Sequence, residues 1–135
     1  MLAPQHPARL RLSAKVRRLY RQGKMSEALD AHYEDMVRDK TAGQGGEVQG
    51  REIDVILDEA FIQAKRSYAA IERPRNFLNP PIRRQIKMTI RMAQDSGRRA
   101  EFWFKYGVHP RVKTYIEDRG GTVIIGLGEI GRAHV

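Results

Sequence analysis

Asp54, Gln63 and Lys65 are the residues of this sequence whose types and spacing could do chemistry. They stand in mid-run in two stretches rich in branched apolar residues, R-E-I-D-V-I-L from Arg51 to Leu57 and A-F-I-Q-A-K from Ala60 to Lys65. An acid, an amide and an amine are costly inside a sheet unless they have partners or a task. A hard cation such as Mg²⁺ takes oxygen ligands, commonly one or two carboxylates with several waters, and Asp54 and the side-chain oxygen of Gln63 can supply them. Lys65 could then orient or deprotonate an attacking water, or offset charge developing on a phosphate. The chemistry that needs this set is metal-assisted phosphodiester cleavage, with Mg²⁺ or Mn²⁺ as cofactor. The same residues also fit an inert, half-exposed hairpin carrying a Glu52–Lys65 cross-strand ion pair.

Whether the three side chains meet depends on the elements that carry them. Side chains alternate along a strand, so Glu52, Asp54 and Ile56 share a face of the first run, opposite Ile53, Val55 and Leu57. Phe61, Gln63 and Lys65 share a face of the second. With Asp58-Glu59 as a two-residue turn, the facing pairs are Ile56 with Phe61, Asp54 with Gln63, and Glu52 with Lys65, which puts Asp54, Gln63 and Lys65 on one face. A four-residue loop keeps that parity and a three-residue loop breaks it.

Ahead of the hairpin, the basic stretch from Ala8 to Arg21 reads as a helix with Leu12, Val16, Leu19 and Tyr20 on its apolar side, broken by Gly23. Ser26 is placed to cap a second helix running to Lys40, with Leu29, Tyr33, Met36 and Val37 toward the core and Glu27, Asp30 and Glu34 on the other face. T-A-G-Q-G-G-E-V-Q-G, Thr41 to Gly50, lacks the G-x-x-x-x-G-K-[ST] phosphate loop and reads as a flexible loop or the approach to a strand. R-S-Y-A-A-I-E-R-P-R-N-F-L after the hairpin is expected to be irregular. Asn79-Pro80-Pro81 is a strong helix start, and that helix should run to Ser96 on a stripe of Ile82, Ile86, Thr89, Ile90 and Ala93. Arg83, Arg84, Lys87 and Arg91 cover much of its remainder, either as a grip on a phosphate backbone or as a solvated face. E-F-W-F-K-Y reads as a strand, H-P-R-V-K-T-Y-I-E-D-R as a short helix ending at Gly120-Gly121, and T-V-I-I-G-L as a buried strand. His109 reads as a turn element, Trp103, Met88 and Met92 as packing residues. The order α-α-β-β-α-β-α-β implies a mixed sheet, a leading hairpin followed by parallel crossovers.

Composition bounds the functions open to such a fold. With 135 residues, 41% hydrophobic and 30% charged, the chain is read as one domain: a basic N-terminal helix over 1–24 and a core over 26–126. No apolar run approaches the ~20 residues of a membrane span. The absence of cysteine excludes a disulfide scaffold and a thiolate metal site, and His6, His32, His109 and His134 show no zinc spacing. A net charge of +9, spread along the chain, favours a polyanionic partner, most often nucleic acid, or else an acidic protein. The N-terminus lacks the apolar stretch of a secretory signal, so the expected place of action is the cytoplasm.

E-I-D-V-I-L and I-Q-A-K-R together resemble the PD-(D/E)XK nuclease superfamily, whose signature is an acid on one strand and (D/E)-x-K on the next, in a restriction-endonuclease-like α-β-β-β-α-β core. Asp54 matches the first acid and Gln63-x-Lys65 the second half. Gln63 stands where most members have Glu, a variant similar to the Q-x-K of Mrr-like restriction nucleases. One charge fewer throws weight on another carboxylate, Glu34 or Glu52. More loosely, residues 26–126, including G-V-H-P-x-V-x-x-Y-I-x-x-x-G-G, look like the restriction-fold domains of bacterial polymorphic and contact-dependent toxins. The resemblance implies a metal-dependent endonuclease acting on DNA or tRNA, with Asp54, Gln63, Lys65, Glu34 and Glu52 as catalytic candidates. Asp54 and Gln63 would be the metal ligands, and Arg66, Arg83, Arg84, Lys87 and Arg91 would bind nucleic acid. It further implies delivery from another cell as part of a larger toxin and an acidic immunity protein as partner. The alternatives are a catalytically inactive nucleic-acid-binding module and an Mrr-like restriction DNase.

The chain ends E-I-G-R-A-H-V, which continues neither strand nor helix. I-G-R-A-H-V is what one frame of a common sequencing adapter encodes, so residues 129–135 are expected to be non-native.

Overall fold

The computed structural model describes residues 11–127, so the expectations for the first ten residues and for the 129–135 tail lie outside the described residues. Two helices, α1 (Ala14–Arg21) and α2 (Met25–Thr41), precede three strands, β1 (Gln44–Val48), β2 (Arg51–Ile56) and β3 (Ala60–Lys65). Three helices follow, α3 (Ala69–Glu72), α4 (Pro74–Phe77) and α5 (Pro80–Asp95), then β4 (Arg99–Phe104), α6 (Pro110–Asp118) and β5 (Thr122–Ile125). The strands form one sheet in the order β1-β2-β3-β4-β5. β1, β2 and β3 pair antiparallel, whereas β3 with β4 and β4 with β5 pair parallel, as a leading hairpin with helical crossovers requires.

The sheet is covered on both faces. Tyr33 and Val37 of α2 pack on Val55, Ile62 and Ala64, while Ile86, Ile90 and Ala93 of α5 and Val112 and Ile116 of α6 pack on Phe61, Phe102 and Phe104 from the other side. β3 lies in the middle and is buried along nearly its whole length, Gln63 included, as a strand covered on both faces must be. α1 packs on the start of α2 through Val16, Leu19, Ala28 and Ala31.

Several boundaries follow from local chemistry. The Asn79 side chain accepts from the Ile82 N–H at 3.0 Å with prolines in the first turn, so α5 begins where the motif predicts. His109 caps α6, its Nδ1 accepting from Arg111 N–H at 3.0 Å. Ser13 caps α1, accepting from Val16 N–H at 3.2 Å, so the helix starts later than the basic pattern predicts. Ser26 does not cap α2, which starts at Met25; its hydroxyl instead accepts from Arg66 at 3.3 Å.

Three expectations are corrected. The Gly-rich segment contains β1, joined to β2 by Gln49-Gly50, both at positive φ (53° and 77°), the geometry of a tight hairpin turn. Its glycines hid the strand because glycine lowers strand propensity, yet a Cβ at Gly45 would stand 3.0 Å from the Asp54 carbonyl oxygen. The irregular segment after β3 forms the one-turn helices α3 and α4, the second opened by Pro74. β5 is not buried: it closes one edge of the sheet, and Ile125 is 57% exposed.

Candidate active site

The β2–β3 hairpin adopts the predicted turn and register, Leu57 N–H donating to Ala60 O at 2.8 Å with Ile56 facing Phe61 and Val55 facing Ile62. Beyond Val55 the regular pairing gives way. On the other side of β2, Gln44 faces Ile56 and Gly46 faces Ile53, so Gly45 alone stands opposite Asp54 and Val55. That is a β-bulge. Its effect shows in the packing: Ile53 and Ile56 join the cluster that contains Phe61, and Val55 and Leu57 the cluster that contains Ile62. Strict alternation would separate Ile53 from Ile56, so the face switches at Asp54. Asp54 and Gln63 therefore do not share a face, contrary to the alternation reading, because the one extra residue reverses parity.

Each polar side chain finds a different setting. Asp54 turns its carboxylate on β3, Oδ2 accepting from Ala64 N–H at 2.8 Å. Gln63, 1% exposed, accepts from Asp54 N–H at 3.4 Å and donates to Glu52 O at 3.3 Å and to Thr89 Oγ1 at 3.1 Å. The backbone groups fix the amide's orientation, since an N–H can only donate and a carbonyl only accept. Lys65 donates from Nζ to Gln85 Oε1 on α5.

Asp54, Lys65, Glu34 and Glu52 open together on a cleft of about 450 Å³ between α2, the hairpin, and the segment from Arg66 to Gln85. Gln63 lies outside it, lining a separate depression with Glu52, Gln85 and Thr89. Glu34 comes from α2, where Arg38, one turn on, stands 3.9 Å away. Arg38 donates to the Asp54 carbonyl at 2.8 Å and to Asp35 at 2.8 Å, tying α2 to the bulge. At the rim Arg66 is paired with Asp30 at 2.9 Å. Arg83, Arg84, Lys87 and Arg91 are exposed and none lines the cleft; Lys87 and Arg91 meet Arg119 around a shallower depression.

The electrostatics of the cleft are those of charges short of solvent. Burial first, then the charge of Asp54, pushes the Glu34 carboxyl up to about 7, against the pull of Arg38 and Lys15. Burial also raises Asp54, although the Ala64 N–H and Lys65 oppose it. Burial lowers Lys65, with Asp54, Glu34 and Asp30 pulling it back. Such opposed shifts in one opening are typical of sites that bind or transfer charge. Among the described residues no three His, Cys, Asp or Glu side chains stand close enough to cage a metal. A cation that keeps most of its waters needs only one or two carboxylates, and Glu34, raised by burial and by the charge of Asp54, and Asp54, raised by burial and in smaller part by Glu52, fit that demand.

Sequence reasoning singled out Glu34 and Glu52 only as substitutes for a missing charge, and missed Arg38, Gln85 and Asp30. Arg38 carried a signal, its i+4 spacing from Glu34; Gln85 carried none, since its role depends on how α5 lies on β3.

No curated protein and no solved structure matches the chain. A family model described as restriction endonuclease fold toxin 3 matches residues 21–126, the span that holds the sheet, the bulge and the cleft, and the chain belongs to that family of restriction-fold toxins.

Proposed function

We propose that this domain is an endonuclease that hydrolyses phosphodiester bonds in DNA or tRNA, with Mg²⁺ or Mn²⁺ held by Asp54 and Glu34 and with Glu52 at the margin. The observation that carries the reading is the convergence of Asp54, Glu34 and Lys65 on one cleft. The cation, when bound, would polarise the scissile phosphate and favour ionisation of water. Lys65, with its ammonium destabilised by burial, sits where it can take a proton from an attacking water or offset charge on the phosphate, and Gln85 orients it. Gln63 acts one step back, holding Asp54 N–H, Glu52 O and Thr89 in register. Arg66 and the exposed α5 residues Arg83, Arg84, Lys87 and Arg91 position the phosphate backbone without reading sequence. An acidic immunity protein, delivery from another cell and action in a target cytoplasm belong to the same reading.

The test is incubation of the purified protein with plasmid DNA and with total tRNA, in Mg²⁺, in Mn²⁺ and in EDTA. Cleavage should need the cation and be lost in Asp54→Ala and Lys65→Ala proteins that remain folded; full activity in the double variant would end the proposal. One observation favours a second reading, an inactive nucleic-acid-binding module: Gln63 is turned away from the cleft, which leaves it short of the carboxylate that most such nucleases carry. Salt-sensitive binding with no cleavage in either metal would establish that reading instead.

A further inference from the structure

Two tyrosines stand at the rim of the cleft, just past the carboxyl ends of β3 and β4. The two strand ends are joined there by the Lys105 N–H donating to Lys65 O at 3.0 Å. The rings of Tyr68 and Tyr106 are stacked, centroids 4.3 Å apart and planes within 5°. Tyr68 is 51% exposed, while its neighbours Ser67 and Ala69 line the cleft, and the Ser67 hydroxyl accepting from Ala69 N–H at 3.1 Å fixes the turn between them. Against its burial, the interactions of the Tyr106 hydroxyl with Tyr68, Arg66 and Lys105 hold it below the ordinary tyrosine range, and the Lys105 ammonium lies 5.2 Å from its ring centre.

A tyrosine placed only for packing gains most by burying its ring, and Tyr68 leaves half its surface in solvent. A parallel aromatic pair, flanked by cations and set beside a cleft suited to phosphate, has the makings of a platform on which a base stacks while its phosphate is held alongside. Inside a duplex both faces of a base are already covered by its neighbours, so only an unpaired or extruded base can use such a platform. We propose that Tyr68, backed by Tyr106, stacks an unpaired nucleobase next to the phosphate in the cleft, making the substrate class single-stranded or looped nucleic acid rather than continuous duplex. The proposal rests on the reading of the cleft as a nuclease site.

The experiment uses stem-loop oligonucleotides, one DNA and one RNA, with the fluorescent base 2-aminopurine in the loop, and continuous duplexes as controls. Binding is read in EDTA and cleavage in Mg²⁺ and Mn²⁺. Wild type and Tyr68→Phe should quench the loop fluorophore. Tyr68→Leu should lose the quench and about 5- to 100-fold in stem-loop affinity, with duplex affinity unchanged, and whichever of the DNA and RNA loops quenches identifies the nucleic acid. Undiminished quenching by Tyr68→Leu, or equal losses on loop and duplex, would overturn the platform. Quenching that depends on Tyr68 without any cleavage would defeat the nuclease reading and keep the platform; cleavage indifferent to Tyr68 would do the reverse; no binding to either nucleic acid would end both.

Discussion

The two ends of the β2–β3 hairpin belong to the same pair of strands and behave differently. Toward the turn, Val55, Ile56, Phe61 and Ile62 pair in regular register and bury apolar side chains on both faces. Toward the open end, the Asp54 carboxylate and the Gln63 carboxamide take hydrogen bonds that a regular ladder would give to backbone groups. The first end is stabilised by burial and can be weakened without touching chemistry. The second holds charges away from water at a cost in stability, which is the usual condition of a site built for a ligand.

If that division is right, substitutions at the two ends should separate activity from stability. The largest effect is expected for Lys65→Ala: a loss of about 10²- to 10⁴-fold in cleavage rate, with a thermal unfolding profile close to wild type. Unfolding of Lys65→Ala at ambient temperature would erase the contrast. At the turn end, Ile62→Ala should cost about 2–5 kcal/mol in denaturant unfolding and reduce cleavage only as far as it depletes folded protein. Gln63→Leu lies between them. It leaves Asp54 N–H and Glu52 O without their partner and should cost about 1–3 kcal/mol, with a moderate loss of activity as the bulge loosens; unchanged stability would mean that the carboxamide does not support Asp54.

A smaller effect concerns pH. Glu34 is raised to about 7 from an ordinary 4.5, so between those values the folded protein binds a proton that the unfolded chain releases. The stabilisation is fully present below pH 4.5 and is lost as pH rises through about 7. In EDTA, unfolding free energy should therefore fall across that window in wild type and fall less in Glu34→Gln. Equal slopes would show that Glu34 is not the group discharged by burial. Adding Mg²⁺ at pH 8 should raise the unfolding temperature of wild type more than that of Glu34→Gln.

Local signals were legible from the residues. Asn79-Pro80-Pro81 started α5 where its capping chemistry dictates, the segment from His109 to Arg119 formed the short helix α6, and the hairpin register next to the turn followed from a two-residue turn. β1 escaped because its two glycines, Gly45 and Gly46, hid its strand character, and the burial of β5 was misjudged because an apolar run does not reveal whether a strand is central or at an edge. The four basic residues of α5 were identified as exposed, but their distance from the cleft depends on how the helix is rolled against β3.

By itself, the sequence determined α1, α2, α5 and α6, the strands β2 to β5 in their order, and the presence of an acid and a lysine on adjacent strands, since these rest on periodicity and capping within a few residues. Only the tertiary structure decided which side chains meet. The bulge at Asp54 exists because Gly45 lets β1 approach and Arg38 of α2 grips the Asp54 carbonyl, contacts between residues distant in the chain. A one-residue irregularity of that kind changes no pattern in the sequence, yet it turns Asp54 away from Gln63 and toward Glu34.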